Sequence, residues 1–270
     1  MIRFFAEKSA ISDYDIHDFD TPGRDSQGHD TPGEDSHDDP RLITLRAEDA
    51  AHIKSLRLRP SEFFVVCDGE GSDHICRLSE RGTDPVAEIV ETRPSMGEPN
   101  VLCSVYIALA KGDRLDYAVQ KSVELGAYEI FIYPSQRCVS APGDISKKIK
   151  RLQRIALETA KQCGRGRVPE VAALPDFGTA VKKAANAALP LFFYELEDNR
   201  HLKDVLGYDP IGPWAPISIM TGPEGGFEPH EVELALSSAM LAVSLGPRIL
   251  RCETAPAAAL AAIMFHSGNL

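Results

Sequence analysis

The chain has 270 residues, 43% hydrophobic and 26% charged, which suits one large or two modest globular domains with ample core material. Its apolar runs, such as 101–110, are too short to span a membrane, and its first residues hold no apolar stretch long enough for a secretory signal. Cysteines at 67, 76, 103, 138, 163 and 252 form no Cys-x-x-Cys pair, so no metal site is expected and reduced thiols in a cytoplasmic protein are the simplest reading. The net charge of −11 argues against a nucleic-acid partner until its distribution is considered. Residues 11–40 carry ten acidic side chains against Arg24, a local −9 that leaves about −2 for the rest.

In chain order, Arg3-Phe-Phe5 supplies a first short strand. Residues 11–40 follow, with the near-repeat Asp20-Thr-Pro-Gly-Arg-Asp-Ser26 and Asp30-Thr-Pro-Gly-Glu-Asp-Ser36. So few apolar groups cannot offset the entropy of ordering, and the segment reads as a disordered insertion. A short helix over 47–56 precedes strands over 63–67, 72–78 and 86–91, with a turn at Asp68-Gly-Glu-Gly71. Residues 1–92 therefore form a small β-rich domain, and Arg93-Pro-Ser-Met-Gly-Glu-Pro99 is a linker.

Beyond it the pattern changes. The continuous apolar run 101–110 fits a strand buried on both faces. Residues 115–125 have helical periodicity closed by Gly126, and 130–133 is the next strand, completing a βαβ unit. A helix over 149–163 and strands over 191–194, 217–220 and 242–245 extend the alternation. Residues 100–270 thus read as an α/β domain with a mostly parallel sheet.

Three segments carry chemical signals. Lys147, Lys148, Lys150, Arg151 and Arg154 crowd one predicted helix, which runs on into Lys161-Gln-Cys-Gly-Arg-Gly-Arg167; a basic stripe in an acidic chain is a nucleic-acid footprint, although such faces are commonly just solvated. Thr221-Gly-Pro-Glu-Gly-Gly-Phe-Glu-Pro-His-Glu231 and Leu245-Gly-Pro-Arg-Ile-Leu-Arg-Cys-Glu-Thr-Ala255 each join a strand to a helix pattern. Either they are plain turns, or they are ligand loops at the carboxyl ends of parallel strands. The first is no P-loop, and Glu224 would repel phosphate. Thr254 is the expected N-cap of the Ala-rich helix that follows.

Gly222-Pro-Glu-Gly-Gly-Phe227 together with Leu245-Gly-Pro-Arg-Ile-Leu-Arg-Cys-Glu-Thr-Ala255 resembles the signature of the bacterial 16S ribosomal RNA uridine-N3 methyltransferases, members of the SPOUT superfamily. Lys111-Gly-Asp-Arg114, Gln120-Lys-Ser-Val-Glu-Leu-Gly126, Glu158-Thr-Ala-Lys-Gln-Cys-Gly-Arg165 and Val168-Pro169 are further matches. The resemblance covers nearly the whole chain except 11–40. It implies an N-terminal PUA-like RNA-binding β-barrel, a deep trefoil knot in the C-terminal α/β domain, and a homodimer acting on 16S ribosomal RNA of the small subunit. It also implies S-adenosyl-L-methionine as methyl donor, in a pocket lined by Tyr194, Glu195, Gly222, Glu224, Gly225, Leu245, Gly246, Ile249, Leu250 and Ala255. Arg3, Lys147, Lys150, Arg151, Arg154 and Arg167 would face RNA.

The chemistry asks for positioning and for help with a proton. Uracil N3 ionises about two units above neutrality, so forming its anion costs roughly 3 kcal/mol at about 1.4 kcal/mol per unit. Arg165 and Arg251 are candidate cations for that charge, Gln162 for holding the base edge, and Glu253 for accepting the proton. A structural Arg251–Glu253 pair is the competing reading. Other hypotheses are a SPOUT enzyme acting on another RNA, such as a transfer RNA ribose, and a catalytically silent assembly factor. A Rossmann oxidoreductase is disfavoured because Gly-x-Gly-x-x-Gly is missing.

Overall fold

A computed structural model describes residues 1–6, 42–79, 86–138, 144–207 and 212–270. The acidic segment 11–40 lies outside the described residues. The chain divides into two compact units, Met1–Ser95 and Met96–Leu270.

The first unit contains strands β1 (Arg3–Phe5), β2 (Leu42–Thr44), β3 (Phe64–Cys67), β4 (Ser72–Leu78) and β5 (Val86–Pro94), with helix α1 (Ala47–Leu56). They form one five-stranded sheet in the order β1-β3-β4-β5-β2, with β1 parallel to β3 and the other pairs antiparallel. Alternate side chains Phe4, Ile43, Phe64, Val66, Cys76 and Ala87 make the core with Ile53 of α1. Phe4 meets the Phe64 ring edge-on at 5.7 Å. The β3–β4 turn closes because Asp68 Oδ1 accepts the N–H groups of Glu70, Gly71 and Ser72, with Gly69 and Gly71 at positive φ. Strand β2 pairs with β5 and is only three residues long.

The second unit holds six strands, β6 (Leu102–Ala108), β7 (Glu129–Tyr133), β8 (Glu170–Ala173), β9 (Leu189–Phe193), β10 (Pro216–Thr221) and β11 (Leu241–Val243). Its helices are α2 (Arg114–Glu124), α3 (Ile145–Cys163), α4 (Phe177–Ala184), α5 (Leu202–Leu206), α6 (Pro229–Ser237) and α7 (Thr254–His266). All six strands are parallel, in the order β11-β9-β10-β6-β7-β8. The central β6 and β10 are almost wholly buried, which is why they read as unbroken apolar runs. Tyr133, fully buried, donates its hydroxyl to the carbonyl of Thr221 and ties β7 to the end of β10. Thr254 is the first helical residue of α7 and Glu253 the N-cap, so that helix begins differently from the sequence expectation and has no side-chain cap.

Candidate functional site

The parallel sheet puts the loops after β6, β9, β10 and β11 at one end, and they surround a cavity of about 520 Å³, a size suited to a small-molecule ligand. Tyr194 and Glu195 enter it from β9, Gly222, Glu224 and Gly225 from β10, and Leu245, Gly246, Ile249, Leu250, Arg251, Glu253 and Ala255 from the segment after β11. The two glycine segments singled out in the sequence are therefore two walls of one cavity. Arg114, at the start of α2, is a lining residue that sequence reasoning noted only as part of a motif.

The glycines do different work. A side chain on Gly222 would meet the Phe227 ring at 2.9 Å, and one on Gly225 would meet Cβ of Arg137 at 2.9 Å, so both are small because protein atoms fill the space. Gly246 has φ +104° with open space beside it, and there alone of these three the bare backbone faces the cavity freely. Phe227 packs on Phe192 at 4.4 Å and fixes the glycine loop to the core.

Two carboxylates hold the loops together. Glu224 Oε1 accepts the Lys111 backbone N–H at 3.0 Å and Arg114 Nη1 at 2.7 Å. Burial works against its charge, but these donors and its own N–H hold its carboxyl below the usual range. Glu231, buried, accepts from Ser135 Oγ, from the Gln136 N–H and from the Glu228 N–H that opens α6. Arg137 completes this second link by donating to Glu228 at 2.8 Å and to the Gly225 carbonyl at 3.1 Å. The spacing Glu228-x-x-Glu231 before an apolar run was the available signal for the cap. Nothing local marks Arg137.

The four proposed reaction residues separate. Arg251 and Glu253 line the cavity, with Arg251 exposed. They do not pair: Glu253 takes the Cys252 thiol at 3.2 Å, and among the described residues Arg251 has no ion-pair partner. Burial, together with that carboxylate, pushes the Cys252 thiol up to about 12. Gln162 is exposed in the last turn of α3 and does not line the cavity. Arg165 is away from it too, 3% exposed and fully committed to structure. Its Nε and Nη2 bond Glu98 at 3.1 and 2.7 Å, and its Nη1 bonds the carbonyls of Ala127 and Val123. Glu98 Oε1 also accepts the N–H groups of Gly166 and Arg167, so one carboxylate folds the whole Gly-Arg-Gly-Arg turn.

The basic residues also sort. Lys147, Lys150, Arg151 and Arg154 are exposed on α3 at i, i+3, i+4 and i+7, one stripe opposite the buried Leu152, Ala156 and Ala160. Arg151 is 2.8 Å from Asp116, and Arg167 lies over the Tyr128 ring at 3.8 Å. Arg3 does not join an RNA-facing set, because it is bonded to Asp73 at 2.6 and 2.9 Å and to the Cys67 sulfur at 2.7 Å inside the first unit.

A second cavity of about 610 Å³ shares Ser244, Leu245, Gly246 and Pro247 with the first and is floored by Ala258, Ala262 and Phe265 of α7. Phe265 is 75% exposed and Ile249 82%.

Comparison with known proteins places this architecture. The family described as "RNA methyltransferase domain" matches residues 98–264. Ribosomal RNA small subunit methyltransferase E of Mesomycoplasma hyopneumoniae is 31% identical over 76% of this chain and 86% of its own length. The protein of the same name from Bacillus subtilis is 30% identical over 83% of this chain and 90% of its own. The crystal structure of the Neisseria gonorrhoeae protein of that name, bound to S-adenosyl methionine, is 29% identical with a TM-score of 0.75, covering 98% of this chain and 97% of that one. With so much of the chain and of these relatives in register, the protein belongs to the ribosomal RNA small subunit methyltransferase E family.

Proposed function

We propose that this protein transfers a methyl group from S-adenosyl-L-methionine to N3 of a uridine in 16S ribosomal RNA of the small subunit. The observation that carries the reading is the single cavity formed by the β9, β10 and β11 loops in a chain of this family. Its lining suits the donor. Glu195, Asp198, Glu224 and Glu253 outnumber Arg114, Arg248 and Arg251, which favours a ligand carrying a sulfonium and an ammonium group. In this reading Tyr194, Glu195, Gly222, Gly225, Leu245, Gly246, Ile249, Leu250 and Ala255 surround the donor, and Glu224 acts through the loops it ties together. The donor brings an already activated methyl, so the protein's task is to place the base in line and to ease loss of the N3 proton. Arg251 stands at the cavity for the developing charge, and Glu253 for the proton.

The exposed stripe of Lys147, Lys150, Arg151 and Arg154, with Arg167 beyond it, is the RNA-facing surface in this proposal. The first unit is a PUA-like RNA-binding domain, residues 93–99 link it to the methyltransferase domain, and the connections of β10 and β11 form a trefoil knot. The exposed apolar residues of α7 and of 245–250 are covered by a second copy of the chain in a homodimer, and the enzyme works in the cytoplasm, where its RNA is. Two measurements test the core of the proposal. Calorimetry with S-adenosyl-L-methionine should show one site per chain, and mass mapping of small-subunit RNA from a deletion strain should show one uridine lacking an N3 methyl. No donor binding, or unmethylated RNA differing elsewhere, refutes it.

A further inference from the structure

We infer that Arg114 is a second guanidinium, beside Arg251, that faces the target base, and that Glu224 is the residue that positions it. This rests on the methyltransferase reading above. The cavity holds three guanidiniums, and two of them, Arg248 and Arg251, are exposed on the segment after β11 with no ion-pair partner among the described residues. Arg114 is different. It is the first residue of α2, its side chain is 40% exposed, and its Nη1 is fixed 2.7 Å from Glu224 Oε1. The same oxygen holds the Lys111 N–H, so the β6–α2 turn and the β10 glycine loop are locked to one another at that carboxylate. Cys252 and Glu253, from the third loop, line the same cavity as Arg114. Arg114 therefore stands where three loops meet, with a set orientation and with donors to spare, since a guanidinium has five N–H groups and Glu224 takes one.

The chemistry calls for such a group. When uracil loses its N3 proton, the charge spreads onto O2 and O4 on either side. A planar guanidinium held in one orientation donates to one of these oxygens and leaves N3 open to the methyl, a geometry that a freely rotating ammonium does not fix. The proton passes to Glu253 and on to solvent, the N3 lone pair forms the new N–C bond, and the S–C bond breaks with its electron pair left on sulfur as a neutral thioether. Arg114 changes no bond in this sequence. It lowers the cost of the anion, in the role that the buried Arg165 cannot fill. Burial opposes the Glu224 charge but the donors around it prevail, so Glu224 stays ionised and keeps its hold on Arg114 through the neutral range.

The test compares wild type, Arg114→Gln and Glu224→Gln by donor calorimetry and by single-turnover methylation of small-subunit RNA as a function of pH. Arg114→Gln is expected to bind S-adenosyl-L-methionine within a few-fold of wild type and to methylate about 100-fold more slowly near pH 7. Its deficit should shrink toward pH about 9, because hydroxide then does the work of the missing charge. Glu224→Gln should show the same alkaline displacement with a smaller loss. A slowing by the same factor at every pH, or loss of donor binding in a variant that unfolds at the wild-type temperature, overturns the inference. If Arg114→Gln does not fold, Arg114→Lys decides: a reduced rate with an unmoved pH profile supports the assignment, and an unchanged rate overturns it. Wild-type protein that methylates no N3 refutes the parent reading, and a wild-type N3 methyltransferase with an Arg114→Gln pH profile like its own refutes this one alone.

Discussion

Two glycine–arginine segments of the second unit look alike in sequence and are used in opposite ways. In 161–167 Arg165 is 3% exposed, and Glu98 binds its guanidinium together with the next two backbone N–H groups. In 245–251 Arg248 and Arg251 are exposed at the rim of a cavity, and among the described residues neither has an ion-pair partner. The difference is made by one carboxylate 67 residues upstream of Arg165. A guanidinium whose donors are all taken by the fold serves stability, and one left open serves a ligand. Sequence alone ranks them equally.

The contrast can be broken in several ways, and the largest effect belongs to the closed arginine. Arg165→Met leaves Glu98 with only the Gly166 and Arg167 N–H groups and takes a buried donor from the carbonyls of Ala127 and Val123, and should lower stability by about 3–5 kcal/mol in urea unfolding. A loss under about 1 kcal/mol would show that the turn does not need its staple. Next is Arg251→Gln, expected to leave stability within about 0.5 kcal/mol and to slow methylation by about 10- to 100-fold at unchanged donor affinity. An equal loss of stability would erase the distinction between the two segments. An intermediate case is Arg154, exposed on α3 and, among the described residues, with neither a cavity nor a carboxylate to serve. Arg154→Ala should weaken RNA binding at low salt and reduce the slope of log affinity against log salt by about 1, leaving single-turnover rate at saturation alone.

The smallest effect concerns Arg3, another arginine taken up by the fold. Burial works to raise the Asp73 carboxyl, but hydrogen bonding and charge from Arg3 outweigh it and hold it below the ordinary range. The stability this pair supplies is then fully present above the unfolded carboxylate pKa of about 3.9 and is lost as pH falls through the depressed folded value. Thermal midpoints of wild type and Asp73→Asn should differ by a constant amount from pH about 7 to 5 and converge in stronger acid. A gap that widens below pH about 4 contradicts the assignment.

The long elements were legible because periodicity is a local property. Helix α1 and strand β4 begin and end where the sequence pattern placed them, and the buried runs of β6 and β10 follow from apolar continuity. Strands β2 and β8 and helices α4 and α5 escaped notice because they have three, four, eight and five residues, too few for a period to emerge. The site divides in the same manner. Its glycine loops could be read because strand-to-loop junctions are marked along the chain. The pairings Arg114–Glu224 and Arg137–Glu228 could not, since the partners are 110 and 91 residues apart. For the same reason the sequence does not show that the missing side chain of Gly225 makes room for Arg137, which only the folded chain brings near.

The strand order has a consequence during synthesis. Strand β6 finally lies between β7 and β10, yet β7 follows it closely while β10 emerges only after β8 and β9. At roughly 5–20 residues per second, the edge of β6 that β10 will cover stays open for on the order of ten seconds as the ribosome works on. That edge belongs to a strand of almost unbroken apolar character, the kind that recruits stray strands and chaperones. Amino-acid changes in β10 that slow its insertion should therefore cost soluble yield in the cell even where the finished protein is unharmed.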